Sequence, residues 1–246
     1  MPLSMAGLGV KFVKFAPWPA DIVFRMHDHQ PRGSNAMKTI GILAILMLQF
    51  SSAAIAPARA YPVHEARAYI LEKLARHDVV FMGTVHRQPA ILKLAADLLP
   101  QLHSAGITHL ALEISSDQQY RIDAFMETGQ GLDGIALHAA IDCPQYRRLF
   151  HVLRDLAPDR RPKVVAIDLP AGQYGGPVSR NAYMARSLAA ILQARPQSRI
   201  LTILGSLHVL RRLNWQHRVG SGNDAVRTHL ERRLPGLKVF SLVNLV

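Results

Sequence analysis

Four nearly continuous apolar runs recur along the chain: Val79-Val80-Phe81-Met82, Leu110-Ala111-Leu112, Val164-Val165-Ala166-Ile167 and Ile200-Leu201-Thr202-Ile203-Leu204. Runs this short, without polar alternation, read as strands buried on both faces. They predict strands over 78–86, 109–114, 163–169 and 199–209, with a last one over 238–246. The segments between them change to a helical period. Ile91, Leu94, Ala95, Leu98, Leu99 and Leu102 fall on one face of a helix that Pro89 starts, a favoured place for proline. Met184, Leu188, Ile191 and Leu192 do the same within 181–194. Further helices are expected over 63–76, from Ser115 or Ser116 to the break at Gly129, over 133–141, 145–156 and 225–234. The Gly/Pro-rich stretch 170–179 and the polar stretch 210–223 read as loops. Strands alternating with helices predict an α/β fold: a mostly parallel β-sheet flanked by helices, with a site at the carboxyl ends of the strands.

Chemistry gathers at those ends. The first run closes in Gly83-Thr84-Val85-His86 and the last in Gly205-Ser206-Leu207-His208, a glycine followed by a histidine three residues on. The two middle runs end in Glu113 and Asp168. Taken singly, each has a plain structural role, since acids cap helices at strand-to-helix turns and strand-end histidines are commonly surface residues. Four such residues at four parallel strand ends point instead to one shared rim, able to hold a metal or run acid–base chemistry.

The chain has 246 residues, and its amino-terminal quarter is of another kind. Met37-Lys38, the apolar stretch 39–50 and the closing Ala58-Arg59-Ala60 form the pattern of a secretory signal peptide, cleaved near Ala60. Its apolar part is shorter than the roughly 20 residues of a spanning helix. Residues 1–36 carry no sustained period and are read as a mis-assigned or disordered extension. This leaves 61–246 as a single domain of periplasmic or secreted address. That part keeps 23 of the 29 Lys and Arg and 15 of the 17 Asp and Glu, for a net charge of about +8. The charge suits an anionic ligand or a negatively charged membrane surface. Nucleic acid is not the expected partner, because the arginines are scattered in pairs such as Arg147-Arg148 and Arg211-Arg212 without zinc-finger spacing or aromatic RNA-binding motifs. Cys143, the single cysteine, permits no intrachain disulfide.

Gly83-Thr84-Val85-His86, Leu110-Ala111-Leu112-Glu113 and Gly205-Ser206-Leu207-His208, in this order and spacing, resemble the ChaN-like/Tiki/TraB superfamily, which includes erythromycin-esterase-like proteins. Asp117-Gln118-Gln119, Ile122-Asp123-Ala124-Phe125 and Arg180-Asn181-Ala182-Tyr183-Met184-Ala185 resemble further stretches of ChaN-like members. The resemblance covers most of 78–209. It implies a parallel α/β sheet with His86, Glu113 and His208 lining a site at the strand ends. It also implies a choice of activities, since members are described as haem- or iron-binding proteins, metal-dependent proteases or hydrolases. Thr84 stands where the esterase-like pattern has Glu, and Asn181 where Asp is usual.

Two readings follow. As a metal-dependent hydrolase of a small-molecule or peptide substrate, the chain would use His86, Glu113 and His208 as ligands of a divalent transition metal. Glu113, Asp168 and Arg180 would then be the catalytic set, with Arg180 meeting an anionic group or a developing oxyanion. As a non-covalent haem or iron carrier without catalysis, it would draw on tyrosine or histidine ligands, Tyr146 and Tyr183 among them, with Tyr174 also near the rim. A scaffold whose catalytic set has decayed is the third option.

Overall fold

The computed structural model describes residues 11–13, 63–210 and 225–243. The chain divides into two units, Met1–Ala66 and Arg67–Val246. In the first, strand β1 (Lys11–Val13) pairs antiparallel with β2 (Val63–Glu65). The expected signal peptide, 37–60, lies outside the described residues, as does all of the 1–36 extension except β1.

The second unit alternates helix and strand as its apolar pattern predicts. Its elements are α1 (Ala66–Arg76), β3 (Val79–Thr84), α2 (Pro89–Leu98), β4 (His109–Ser115), α3 (Gln119–Thr128), α4 (Pro144–Asp155), β5 (Lys163–Asp168), α5 (Arg180–Ala194), β6 (Ile200–Gly205), the single turn α6 (Ser206–Val209), α7 (Val226–Arg233) and β7 (Val239–Val243). The five strands form one parallel sheet in the order β5-β4-β6-β3-β7. This is the α/β architecture expected from the sequence. On one face Val79, Phe81, Ala111, Ile167, Ile200 and Leu204 pack against Met184, Leu188 and Leu192 of α5 and Val226 and Leu230 of α7. Strand alternation sends Val80, Met82, Leu201 and Ile203 to the other face, where they are equally buried. Burial on both faces is why these strands read as unbroken apolar runs.

The sheet order positions the site. β4 hands the chain on to its neighbour β5 on one side, while β6 hands it on to β7 on the other. The crevice between the carboxyl ends of β4 and β6 is therefore the point where outgoing connections part, the usual ligand position in an open parallel sheet.

Three expectations are corrected. The strand expected over 199–209 stops at Gly205, and residues 206–209 turn into α6, so His208 comes from a helical turn. Gly83 permits this: a Cβ there would lie 2.6 Å from Val209 Cγ2 and 3.1 Å from Ser206 Cα, so α6 rests directly on the end of β3. The helix expected over 63–76 begins at Ala66, its first three residues being β2. The helix expected over 133–141 is only a 3-10 turn, Leu132–Gly134, followed by irregular chain. Side chains serve its backbone there in place of helical bonds. Arg147 donates to Leu132 O (3.0 Å), Ala136 N to Gln118 Oε1 (3.0 Å) and Arg87 to Ala139 O (2.8 Å), while Arg147 grips Asp142 at 2.8 and 2.9 Å. The loop expected at 210–223 lies outside the described residues beyond Leu210. Among the described residues no helix is long and apolar enough to cross a membrane.

Candidate functional site

β4 carries Glu113 to the crevice, where its side chain is buried. A carboxylate out of water needs donors around it, and three converge. Across the crevice Gly205 N donates to Oε2 at 2.6 Å. Arg180 Nη2 donates to Oε1 at 3.0 Å, and His208 Nε2 lies 3.2 Å from the same oxygen. Burial pushes the Glu113 carboxyl upward, but the His208 hydrogen bond and charge, the Gly205 N–H and the Arg180 charge outweigh it and hold it down at about 2. The group is an anion at any physiological pH.

Asp168, at the end of β5, is buried more completely still. Its Oδ1 accepts from Leu169 N (2.7 Å) and Arg180 Nε (3.0 Å), and its Oδ2 from the Tyr174 hydroxyl (2.8 Å) and Arg180 Nη2. Arg180 thus bridges both acids with one guanidinium, which also lies over the Tyr174 ring at 4.9 Å. It is the first residue of α5, whose N-cap Ser179 accepts from Ala182 N at 3.4 Å. Partial burial works against its charge, but the hydrogen bonds to Asp168 and the charges of Asp168 and Glu113 prevail and raise its pKa. Tyr174 is raised too, by burial first and then by its bond to Asp168.

His208 is held at both ring nitrogens, Nδ1 lying 2.6 Å from Asn181 Oδ1 and Nε2 facing Glu113. The Asn181 departure therefore supplies an amide anchor for the imidazole. Thr84, the other departure, donates to Leu204 O at 3.2 Å and ties β3 to β6. His86 lies in the turn after β3, exposed to solvent. A Cβ on Gly205 would fall 2.9 Å from its Cε1, 3.0 Å from its Nε2 and 3.4 Å from Glu113 Oε2. Only a glycine at 205 lets the His86 ring and the Glu113 carboxylate meet over one backbone position.

Glu113, Asp168, Arg180 and His208, singled out in the sequence, are thus one hydrogen-bonded cluster, and His86 joins it over Gly205. Tyr146, in the first turn of α4, is 3% exposed and its hydroxyl has no hydrogen-bond partner. Burial foremost, and then the charges of Glu113, Cys143 and Asp168, raise its pKa well above the ordinary value. Tyr183 stands at the border of the site, its hydroxyl 2.8 Å from Ser116 Oγ. Among the described residues no group of three or more His, Cys, Asp and Glu side chains is arranged to hold a metal ion. The physical reason is Arg180, which already supplies the cation between the two carboxylates. Sequence reading missed the anchoring part of Asn181 and the Gly205 N–H as a donor to Glu113. Both lie inside motifs it had recognised, but what they touch depends on strand order.

The connections at this edge also expose apolar side chains. Val85, Tyr120, Val178 and Leu207 are the exposed large hydrophobic side chains among the described residues. They follow the carboxyl ends of β3, β4, β5 and β6 respectively.

Comparison with known proteins agrees with this architecture. Residues 70–175 match the family described as haem-binding uptake, Tiki superfamily, ChaN. The match ends before Arg180, Asn181 and His208. ChaN of Campylobacter jejuni, solved with cofacially bound haem, is 12% identical, with a TM-score of 0.54 over 73% of this chain and 86% of that one. A Bacillus cereus protein is 12% identical, with a TM-score of 0.49 over 70% of this chain and 67% of that one. The C-terminal region of Pasteurella multocida toxin, described as holding a thiol-protease-like catalytic triad, is 14% identical, with a TM-score of 0.48 over 74% of this chain and 28% of that one. No curated protein matches the chain. The resemblance read in the sequence is thereby borne out: residues 70–175 match the ChaN family of the Tiki superfamily, and the chain shares the fold of ChaN.

Proposed function

We propose that this protein binds haem non-covalently at the carboxyl edge of its sheet, in the periplasm or outside the cell. One observation carries the reading. The exposed apolar side chains Val85, Tyr120, Val178 and Leu207 all lie in the connections that follow the carboxyl ends of the strands, the edge at which Arg180 bridges the two acids. Haem has matching chemistry, an apolar macrocycle with an iron at its centre and two carboxylates at its margin. The donor set fits the group. His86 presents an exposed imidazole at this edge, and the bare Gly205 leaves its ring room. Imidazole and phenolate are ordinary haem-iron ligands, which makes His86 the first candidate and Tyr183, beside Ser116, the second. Tyr146 is too deeply buried to reach a ligand on the open rim. Arg121 and Arg186, exposed and stacked at 5.1 and 4.9 Å on Tyr120 and Tyr183, suit the haem carboxylates.

Titration of the purified protein with haem, followed in the Soret region, tests this. A saturable Soret shift is expected. His86→Ala should weaken it by more than the roughly 10–100-fold that a mere outer-shell partner of a metal is worth. No shift with the wild type sinks the haem reading. A shift that survives His86→Ala but is lost in Tyr183→Phe moves the ligand to Tyr183.

The hydrolytic reading is favoured by a different observation, the Glu113–His208 pair. An imidazole fixed at both nitrogens beside a buried carboxylate is a preorganised acid–base couple. Its metal-dependent form requires His86, Glu113 and His208 to take an ion against the Arg180 guanidinium, since Arg180 is bonded to Glu113. Metal analysis after incubation with zinc or manganese decides that form: one tightly held ion per chain, lost in Glu113→Gln, supports it, and absence of such an ion removes it.

A further inference from the structure

Gln119 and Asp123, from the two stretches around the start of α3 that resemble ChaN-like members, take no part in the rim chemistry. They meet at the edge of the sheet. Among the described residues β5 pairs with β4 alone. Lys163 N donates to Thr108 O at 2.9 Å on the β4 side. Backbone groups alternate along a strand, so Val164 and Ala166 direct theirs outward. Such a row of open donors and acceptors is a template for another strand. Here one side chain covers it. Gln119, the first residue of α3, donates through Nε2 to Val164 O at 3.0 Å and accepts from Ala166 N through Oε1 at 2.7 Å. A residue of a neighbouring parallel strand makes the same two bonds, donating to one carbonyl and accepting from the N–H two residues on. The second Nε2 hydrogen goes to Asp123 Oδ1, 2.8 Å away on the next turn of the helix. Val164 O and the Asp123 carboxylate accept and Ala166 N donates, so the amide has one orientation. Val164 and Ala166 beneath it are 4% and 5% exposed.

We propose that Gln119 closes the sheet at β5: its carboxamide takes the bridging position that a strand of a second copy of this chain would occupy, and so keeps the chain from pairing with itself along β5. Glutamine suits the task because its amide carries the donor and the acceptor of a peptide group on a side chain long enough to reach both. Asp123 locks the amide in the bridging orientation. A second copy is the partner excluded, because its own β5 presents the same outward groups and two such edges complement one another about a twofold axis. The device stands apart from the rim, so it holds whether or not the rim binds haem.

Sedimentation velocity over a wide concentration range, with amide hydrogen exchange at Ala166, tests it on the full chain. Gln119→Ala removes the amide, and Gln119→Asn keeps it but shortens its reach by one methylene. Both should associate with rising concentration beyond the wild type. At low concentration the Ala166 N–H should lose its protection against exchange, and at high concentration regain it, because a second copy then supplies the acceptor. Gln119→Glu keeps the length but has no donor for Val164 O, and a charge on a sheet edge opposes pairing. It should raise the unfolding equilibrium constant about fivefold, the weight of one net hydrogen bond, yet not associate. The proposal is overturned if Gln119→Ala and Gln119→Asn lose stability but sediment like the wild type, since Gln119 then only docks α3 on the sheet. It is equally overturned if they associate while the Ala166 N–H stays unprotected, or if Gln119→Glu associates as strongly as Gln119→Ala. Should Gln119→Ala fail to fold, Gln119→Asn decides in its place.

Discussion

Gly83 and Gly205 open the two matching Gly-x-x-His segments, and they are glycines for different reasons. A methyl on Gly83 would press on Val209 Cγ2 at 2.6 Å, Leu242 O at 3.1 Å and Ser206 Cα at 3.1 Å. Two of those atoms are backbone and cannot yield. Gly83→Ala is expected to cost about 1–3 kcal/mol, as overpacking does, while the rim chemistry stays intact. A methyl on Gly205 would meet the edge of the His86 ring. That ring is exposed and can swing away, so the fold should lose under about 1 kcal/mol. The displaced imidazole should nonetheless weaken haem binding. Thermal unfolding together with haem titration of the two variants checks the contrast. Equal losses of stability would show that the second glycine serves packing, like the first.

Between β3 and α2 the chain turns through Arg87, which has φ 62, the left-handed region, and is the non-glycine residue found there among the described residues. A side chain in that conformation costs on the order of 1 kcal/mol or more. The guanidinium offsets it by donating to Ala139 O at 2.8 Å, which pins the irregular segment 135–143 beside the rim. Arg87→Gly removes the donor but relieves the backbone. Arg87→Ala removes the donor and keeps the strain. The glycine variant should therefore be the more stable of the two by about 1 kcal/mol in urea unfolding. The opposite order would mean that the turn is not strained. The same segment explains why the helix expected over 133–141 does not form. Its apolar residues were visible in the sequence, but the side-chain partners that satisfy its backbone come from Arg87, Gln118 and Arg147, on other elements.

At the scale of the whole molecule, β4 carries ionisable groups at both ends, and both set the same slope of stability against pH. Glu113 titrates at about 2 when folded, against 4.5 ordinarily. Its contribution, on the order of 3 kcal/mol, is present above about 4.5 and is lost as pH falls toward 2. His109, buried at the amino end, has its pKa lowered by burial first and then by Lys163 and Arg195. It is neutral in the fold and gains a proton on unfolding, so its contribution is full above its ordinary 6.5 and falls as pH drops below that. Stability should therefore decline in two stages on acidification, the first setting in as pH falls below 6.5, the second below 4.5. Melting temperature measured from pH 7.5 to 3 checks this. His109→Asn should flatten the first stage and Glu113→Gln the second, whereas a flat wild-type profile would refute the account of both groups.

The parallel strands were legible because burial on both faces writes an unbroken apolar run into the chain, and β3, β4 and β5 lie within a residue or two of their expected bounds. Glu113, Asp168, His86 and His208 were legible as candidates because each closes or follows such a run, and parallel strands bring their carboxyl ends to one edge. Local pattern could not show the strand order β5-β4-β6-β3-β7, which sets Glu113 opposite Gly205 across the β4–β6 crevice. Nor could it show that Arg180 reaches two acids 67 and 12 residues away along the chain, or that Asn181 holds His208. Hydrophobic periodicity is a property of neighbouring residues and is readable along the chain. Which donor meets which acceptor depends on non-local packing, and only the tertiary structure decides it.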